Sequence, residues 1–152
     1  MKPFALFYFS ILLLLTISCS SNKAHEGKTE NYFEIGQGFL AEGKVPDAIE
    51  YFQIAKQRDP KNARYTMALG VAYSQIYKYQ EALDFLNEAI RLQVPYPEAH
   101  NNKSAVYLKM RNPKLALESA EEALKIATYK TPDFAWAHKA QAFLQLGQIE
   151  KS

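Results

Sequence analysis

The sequence predicts an all-α fold, a solenoid of antiparallel helix pairs with about three and a half repeats. Two observations lead to this prediction. Stretches that begin at Tyr32, Thr66 and His100 align without a gap at a period of 34 residues. Within each stretch, apolar residues recur at helical spacing in two runs, and turn residues separate the runs. Each stretch therefore predicts a helical hairpin.

The repeating positions define three complete units, 29–62, 63–96 and 97–130, and a partial unit, 131–152. Helices that cross at about 8–10 Å have room only for small side chains at the contact, so small residues mark the crossing in each unit. Five classes of position agree between the units: Gly36, Gly70 and Ser104; Phe39, Tyr73 and Tyr107; Ala48, Ala82 and Ala116; Phe52, Leu86 and Ala120; Ala55, Ala89 and Ala123. This pattern resembles the tetratricopeptide repeat over about 29–151.

Turn residues and prolines predict where the helices end. Glu42-Gly43-Lys44 separates the two helices of the first unit, and Arg111-Asn112-Pro113 separates those of the third. Pro60 stops the second helix of the first unit, and Pro95 and Pro97 do so in the second unit.

The partial unit begins with a first helix. Trp136, Ala140 and Phe143 recover the first-helix pattern after an insertion of two residues, and Thr131 and Pro132 predict the start of the helix. Stacked units need a polar terminal helix, yet this helix keeps several large apolar residues. It therefore either packs alone as a cap or is followed by further repeats in a longer chain, and the capping argument favours the longer chain.

The N-terminus predicts a secretory signal in residues 1–18. A short positive start precedes an apolar run that is shorter than the roughly 20 residues of a membrane-spanning helix. The run ends in "LTISCS", which resembles the lipobox of bacterial lipoproteins, with Cys19 as the lipidated first residue of the mature chain. The alternative is an uncleaved or differently cleaved anchor with an incidental cysteine. Residues 19–28 lack a hydrophobic period and predict a flexible tether.

The lipoprotein resemblance also implies a location. Ser20 follows the cysteine where an Asp would favour retention at the inner membrane, so we expect an outer-membrane lipoprotein that faces the periplasm. The expected membrane contact is the lipid anchor, because two or three acyl chains give stable binding.

Composition and motifs argue against several classes of function. The formal charge of +2, with Lys and Arg interleaved among Asp and Glu, gives no basic stripe for nucleic acid. His25, His100 and His138 have no second metal ligand at helical spacing, and neither a phosphate loop nor a nucleophile motif is present. We therefore expect no cofactor, no metal and no catalytic residue.

A protein partner is the remaining expectation, because stacked helical hairpins form a concave wall from their first helices. The lining is predicted to be mixed and largely apolar, which suits an amphipathic helix or an extended apolar peptide. Chaperone-type repeat domains that grip a C-terminal carboxylate place Lys and Asn where this chain has the first two groove residues, which disfavours such a clamp. The predicted groove residues are Phe33, Gln37, Leu40, Arg64, Met67, Val71, Ser74, Asn101, Ala105, Leu108, Phe134, Gln141 and Leu144.

An alternative assigns some of these residues to the core. Phe33 and Met67 could equally cover the interior of a short solenoid, which is common for such residues at helical spacing.

One family of scaffolds is similar to the whole arrangement. The lipobox followed quickly by repeats, the segment "AEGKVPDAIEYFQIAKQRDP" and the insertion "ATYKTPDFAW" resemble the lipoproteins of type IV pilus biogenesis, the pilotins. That resemblance implies a role in bringing a secretin subunit to the outer membrane and promoting assembly of its ring. The alternatives are a general periplasmic adaptor that recruits a protease or a cell-wall enzyme, and an enzyme whose catalytic domain lies beyond Ser152.

Overall fold

The computed structural model describes residues 28–149, and within that range the chain forms seven α-helices and no strand. They are α1 (28–41), α2 (Val45–Arg58), α3 (Ala63–Gln75), α4 (Tyr79–Leu92), α5 (Pro97–Lys109), α6 (Pro113–Leu124) and α7 (Pro132–Ile149). The all-α prediction is confirmed. Lys28, the last residue of the predicted tether, already belongs to α1, whereas the predicted signal peptide, Cys19 and the rest of the tether lie outside the described residues.

Local sequence explains most helix starts. Proline occupies the first or second position of α2, α5 and α6, where its missing N–H leaves no hydrogen bond unmade. The side chains of Asn62 and Asn112 cap α3 and α6 by accepting hydrogen bonds from the backbone N–H groups of Arg64 and Leu115.

The turn inside each unit uses the same backbone conformation. Gly43, Tyr77 and Arg111 have φ values of 75°, 63° and 55°, and they are spaced 34 residues apart. Only the first unit places glycine at this left-handed position, although glycine adopts it with the least strain. The repeat therefore extends to the backbone geometry of the connection between paired helices.

The helix pairs cross at the small residues. A Cβ atom on Gly36 would lie 2.7 Å from the ring of Phe52, and one on Gly70 would lie 2.7 Å from Cγ of Leu86. In the third unit, Ser104 is fully buried and its hydroxyl donates a hydrogen bond of 2.7 Å to the carbonyl oxygen of Ala116. The largest buried side chains collect around these crossings, so the core follows the stack as a series of connected clusters.

Helix α7 completes the stack on one side only. Ala142 is buried against Leu108 and Ala116, and Ala135 is buried against Ala123 and Tyr129. The helix thus packs on α5 and α6 as the first helix of the fourth unit. None of the helices within residues 28–149 has the length and apolarity needed to cross a bilayer.

Candidate functional site

The groove is defined here as the surface of the first helices α1, α3, α5 and α7 on which the thirteen candidate residues lie. Polar contacts link each of these helices to the next. Glu30 of α1 binds Arg64 of α3, and Lys109 of α5 donates to Ser74 of α3. Nδ1 of His138 on α7 lies 2.9 Å from Oδ1 of Asn101 on α5. The wall of the groove is therefore continuous from the first unit to the fourth.

Phe33 is not part of the groove surface, which corrects the prediction for this residue. Its side chain is 2% exposed, with ring centroids 5.5 Å from Phe52 and 5.0 Å from Tyr65. The guanidinium of Arg64 lies 4.2 Å from the centroid of the Phe33 ring and covers it. Phe33 thus belongs to the core, as the alternative assignment had it.

An ion pair occupies the first-unit end of the groove instead. The carboxylate of Glu30 accepts hydrogen bonds from Nη1 of Arg64 at 2.7 Å and from the hydroxyl of Tyr65 at 2.8 Å. Burial, together with the Glu30 contact, raises the pKa of Tyr65 to about 12, so its hydroxyl keeps its proton and remains a donor. This end is polar and its cation is already paired.

Two central candidates are also buried. Ser74 is 7% exposed, and its hydroxyl donates to the carbonyl oxygen of Val71 at 2.8 Å. Leu108 is 5% exposed because Ala142 of α7 and Ala116 of α6 cover it. Their placement in the groove lining is therefore corrected as well, since neither offers a free side chain to a partner.

The other central candidates keep part of their surface. Leu40, Met67, Val71, Asn101 and Ala105 are partly buried. Met67 packs against two core clusters, so it supports the wall of the groove while it lines it. Both assignments made for this methionine from the sequence describe part of its environment.

The fourth-unit end is open and apolar. Phe134 is 61% exposed and Leu144 is 70% exposed, and Gln141, between them in sequence, is exposed too. At the first-unit end Gln37 and Arg64 are exposed. The two ends thus differ in chemistry, with a paired cation at one and free apolar side chains at the other.

Sequence reasoning did not identify Glu30, Lys109 or His138 as parts of this surface. A signal for Glu30 was available, because Glu30 and Arg64 are opposite charges at equivalent positions of neighbouring units. His138 and Lys109 gave no such signal, since their contacts with Asn101 and Ser74 join positions that are 37 and 35 residues apart.

The titratable groups of the groove and its surroundings support binding rather than catalysis. Burial lowers the pKa of His138 and of Lys103, which favours their neutral forms relative to exposed side chains. Among residues 28–149 no group of three or more His, Cys, Asp or Glu side chains is placed to hold a metal ion. What the arrangement offers is a wall of helices with apolar and hydrogen-bonding side chains.

Comparison with known families agrees with this geometry. A family model described as Tetratricopeptide repeat matches residues 33–100, and a second model with the same description matches residues 97–129. Together they span 33–129, which is more than half of the 152-residue chain.

Related proteins contain the same kind of repeat within longer chains. The chain is 27% identical over 92 residues to Hsp70-Hsp90 organizing protein 3 of Arabidopsis thaliana, which covers 60% of this chain and 16% of that protein. It is 30% identical over 120 residues to anaphase-promoting complex subunit 3 of Schizosaccharomyces pombe, which covers 79% of this chain and 17% of that protein. The chain thus spans about a sixth of the length of these relatives.

A solved structure shows the same fold. The TPR2B domain of yeast Sti1, in complex with pHsp70, superposes with a TM-score of 0.72 at 19% identity, covering 78% of this chain and 98% of that domain.

Proposed function

The chain belongs to the tetratricopeptide repeat family, and from this premise we propose that it is a lipid-anchored scaffold that assists type IV pilus biogenesis by promoting assembly of the outer-membrane secretin. The fold is that of a non-catalytic protein-protein interaction scaffold. The secretin, the lipid anchor and the outer-membrane location are parts of the proposal that extend beyond the family.

The observation that supports a partner most directly is the open apolar end of the groove. Phe134 and Leu144 leave more than half of their surface exposed beside the hydrogen-bonding side chain of Gln141. Apolar anchors with a polar group between them suit one face of an amphipathic helix or an extended apolar peptide. We therefore propose that a segment of the secretin subunit of this kind binds there.

A carboxylate clamp is a poorer fit for this groove. Phe33, at the position where chaperone-type domains place Lys, lies in the core, and Arg64 is paired with Glu30. The name of the Arabidopsis relative refers to Hsp70 and Hsp90, and the yeast domain was solved with pHsp70. These relatives support groove binding as a class of function, whereas the chemistry of this groove favours an apolar ligand.

The proposed anchor explains how modest groove affinity could suffice. Acyl chains on Cys19 would hold the scaffold at the membrane, and the tether would let the groove reach subunits that collect in the same plane. Confinement of both partners raises their effective concentration without any new contact. The scaffold would thereby favour ring assembly and need no chemical step.

The test is the yield of heat-resistant secretin rings on a denaturing gel, in cells with the gene, without it, and with Cys19→Ala or the double substitution Phe134→Ala with Leu144→Ala. We expect rings to disappear on deletion and to be reduced or mislocalised with Cys19→Ala. The double variant should lower ring yield and weaken co-purification of the secretin by about tenfold, since truncation of binding anchors commonly costs more than 1 kcal/mol.

Leu115→Ala is the matched control, because Leu115 is also an exposed leucine, 38% exposed, but lies on the second helix α6. It should leave ring yield unchanged. Rings that persist at full yield in all variants would refute the pilus function.

A periplasmic adaptor that recruits a protease or a cell-wall enzyme is the second candidate. A depression of about 420 Å³ between the second helices α2 and α4 favours it, because an adaptor needs a surface besides the groove. Lys56, Leu69 and Phe85 contribute to its lining. Cross-linking from this depression to an envelope enzyme, in cells whose rings do not depend on the gene, would support the adaptor.

A further inference from the structure

Helix α7 has a second exposed surface that is distinct from the groove, called here the terminal face. It is formed by Trp136, Ala140, Phe143 and Gly147, whose spacing of four, three and four residues places them on one stripe of the helix. Trp136 is 56% exposed, Phe143 is 53% exposed and Ala140 is exposed. No described atom lies within 4 Å of a Cβ atom built on Gly147.

The preceding units show what such a face is built to contact. In the alignment of units, Ala140 corresponds to Ser104, Gly70 and Gly36, and each of those residues packs against the second helix of its own unit. No helix follows α7 within the described residues, so its equivalent face meets no partner there. Exposed apolar stripes of this kind are typical of contact surfaces.

The order of side chains on the terminal face is complementary to its own reverse. Along the helix the stripe alternates large and small residues, from Trp136 and Ala140 to Phe143 and Gly147. In an antiparallel pair related by a two-fold axis, Trp136 would lie opposite Gly147 of the second copy, and Ala140 opposite Phe143. Alternating large and small residues across facing positions is how packed helix pairs avoid both voids and overlap. A two-fold contact of one patch with itself is also the commonest arrangement in homodimers.

The tryptophan at one end of the stripe is held in place. Nζ of Lys139 lies 5.4 Å from the centroid of the Trp136 ring, and the same ammonium binds the carboxylate of Glu121 at 2.8 Å. Leu124 and the Trp136 ring also border a depression of about 310 Å³ between α6 and α7. An ordered large side chain costs less conformational entropy to bury than a mobile one.

We propose that the terminal face binds a second copy of this chain through an antiparallel α7 to α7 contact. Half-exposed aromatic side chains leave roughly 100 Å² each for burial, so two copies would bury about 400 Å² of ring surface, with flanking residues adding to it. The total lies below the roughly 1,600 Å² of a standard interface, which predicts a weak and reversible dimer.

The test is photocross-linking in intact cells with the full chain, in which Leu144, at the flank of the terminal face, is replaced by p-benzoylphenylalanine. We expect a product of twice the monomer mass that joins position 144 to an α7 peptide of the same chain. Gly147→Leu should abolish the product, because the leucine fills the space that Trp136 of the second copy requires. It should not unfold the monomer, since the added side chain starts in open space.

Phe134→Glu is the matched control, because Phe134 is an equally exposed phenylalanine of α7 but faces the groove. It should leave the self-product intact, whereas Phe143→Glu should remove it. A self-product that survives Gly147→Leu and Phe143→Glu would overturn the proposal. So would irradiation that yields no self-product, or only products with other proteins, because the terminal face would then be free or occupied by a different partner.

Discussion

At the scale of single residues, burial controls the protonation of two histidines. Burial lowers the pKa of His138, and its hydrogen bond with Asn101 opposes the shift. Burial and the charge of Lys103 lower the pKa of His100, with Glu122 acting in the opposite direction. Both imidazoles are therefore held in the neutral form more strongly in the folded chain than in the unfolded chain, where their pKa is about 6.5.

This difference predicts that the fold loses stability in mild acid. As the pH falls below about 6.5 the unfolded chain binds protons that the folded chain resists, so the free energy of unfolding decreases. Urea unfolding at pH 7.5 and 5.5 measures the loss. The double variant His100→Gln with His138→Gln should lose less stability over this range than the original chain. An equal loss in both would assign the acid sensitivity to other groups.

Phe33 illustrates what helical phase can and cannot predict. Periodicity correctly placed it on a different stripe of α1 from Gly36, but burial depends on side chains that reach it from elsewhere. Tyr65 and Arg64 of the next unit cover Phe33, and their reach is a property of the stack rather than of α1. The same limitation explains Leu108, which is covered by a helix more than 20 residues further along the chain.

At the scale of elements, the helix pairs are matched by size. Glycine stands at the crossing where the second helix presents Phe52 or Leu86, and Ser104 stands where the corresponding residue is Ala120. The sequence alignment predicted small residues at every crossing, which the structure confirms. The matching within each pair was not visible in the alignment, because it depends on how closely two backbones approach.

This matching predicts coupled effects of mutation. Gly70→Ala should lower the free energy of unfolding by about 1–3 kcal/mol, because the new Cβ would lie 2.7 Å from Cγ of Leu86 and 3.0 Å from the carbonyl oxygen of Ala82. Leu86→Ala alone should cost about 2–5 kcal/mol. The double variant should cost less than the sum, and urea unfolding of all four chains measures the coupling.

Gly38→Ala is the control for the change of residue type. Gly38 is also a helical glycine, but no described atom lies within 4 Å of its Cβ position, so the substitution should stabilise the chain by about 0.5–1 kcal/mol. Additive costs for Gly70→Ala and Leu86→Ala would contradict the proposed overlap.

At the scale of the whole molecule, each unit contacts its neighbours, so stability should vary along the stack. Helix α7 covers Leu108 and Ala116 through Ala142, and the first unit lies at the opposite end. Sequence analysis anticipated that the last helix either caps the stack alone or continues into further repeats. The structure shows how α7 packs on α5 and α6, and it leaves the terminal face open within the described residues.

Weakening the packing of α7 should therefore have a graded effect. Ala142→Leu inserts a larger side chain where Ala142 is fully buried, and it should cost about 1–3 kcal/mol. We expect amide hydrogen exchange to quicken most in α7 and α5 and least in α1 and α2, because opening spreads from the disturbed end. Ala137→Leu, at an exposed position of the same helix, should leave exchange unchanged. Uniform acceleration along the chain would show instead that the stack unfolds as one unit.

The size matching inside each helix pair also limits how such a chain can evolve by recombination. A duplication or deletion whose breakpoints fall between units keeps every glycine with its large partner and Ser104 with Ala120. A breakpoint inside a unit would join the serine-bearing helix to one that carries Phe52 or Leu86, or a glycine-bearing helix to one that carries Ala120. The first product is overfilled and the second contains a void. Exchange of genetic material at 34-residue intervals is consequently tolerated best when it starts and stops in the loops between units.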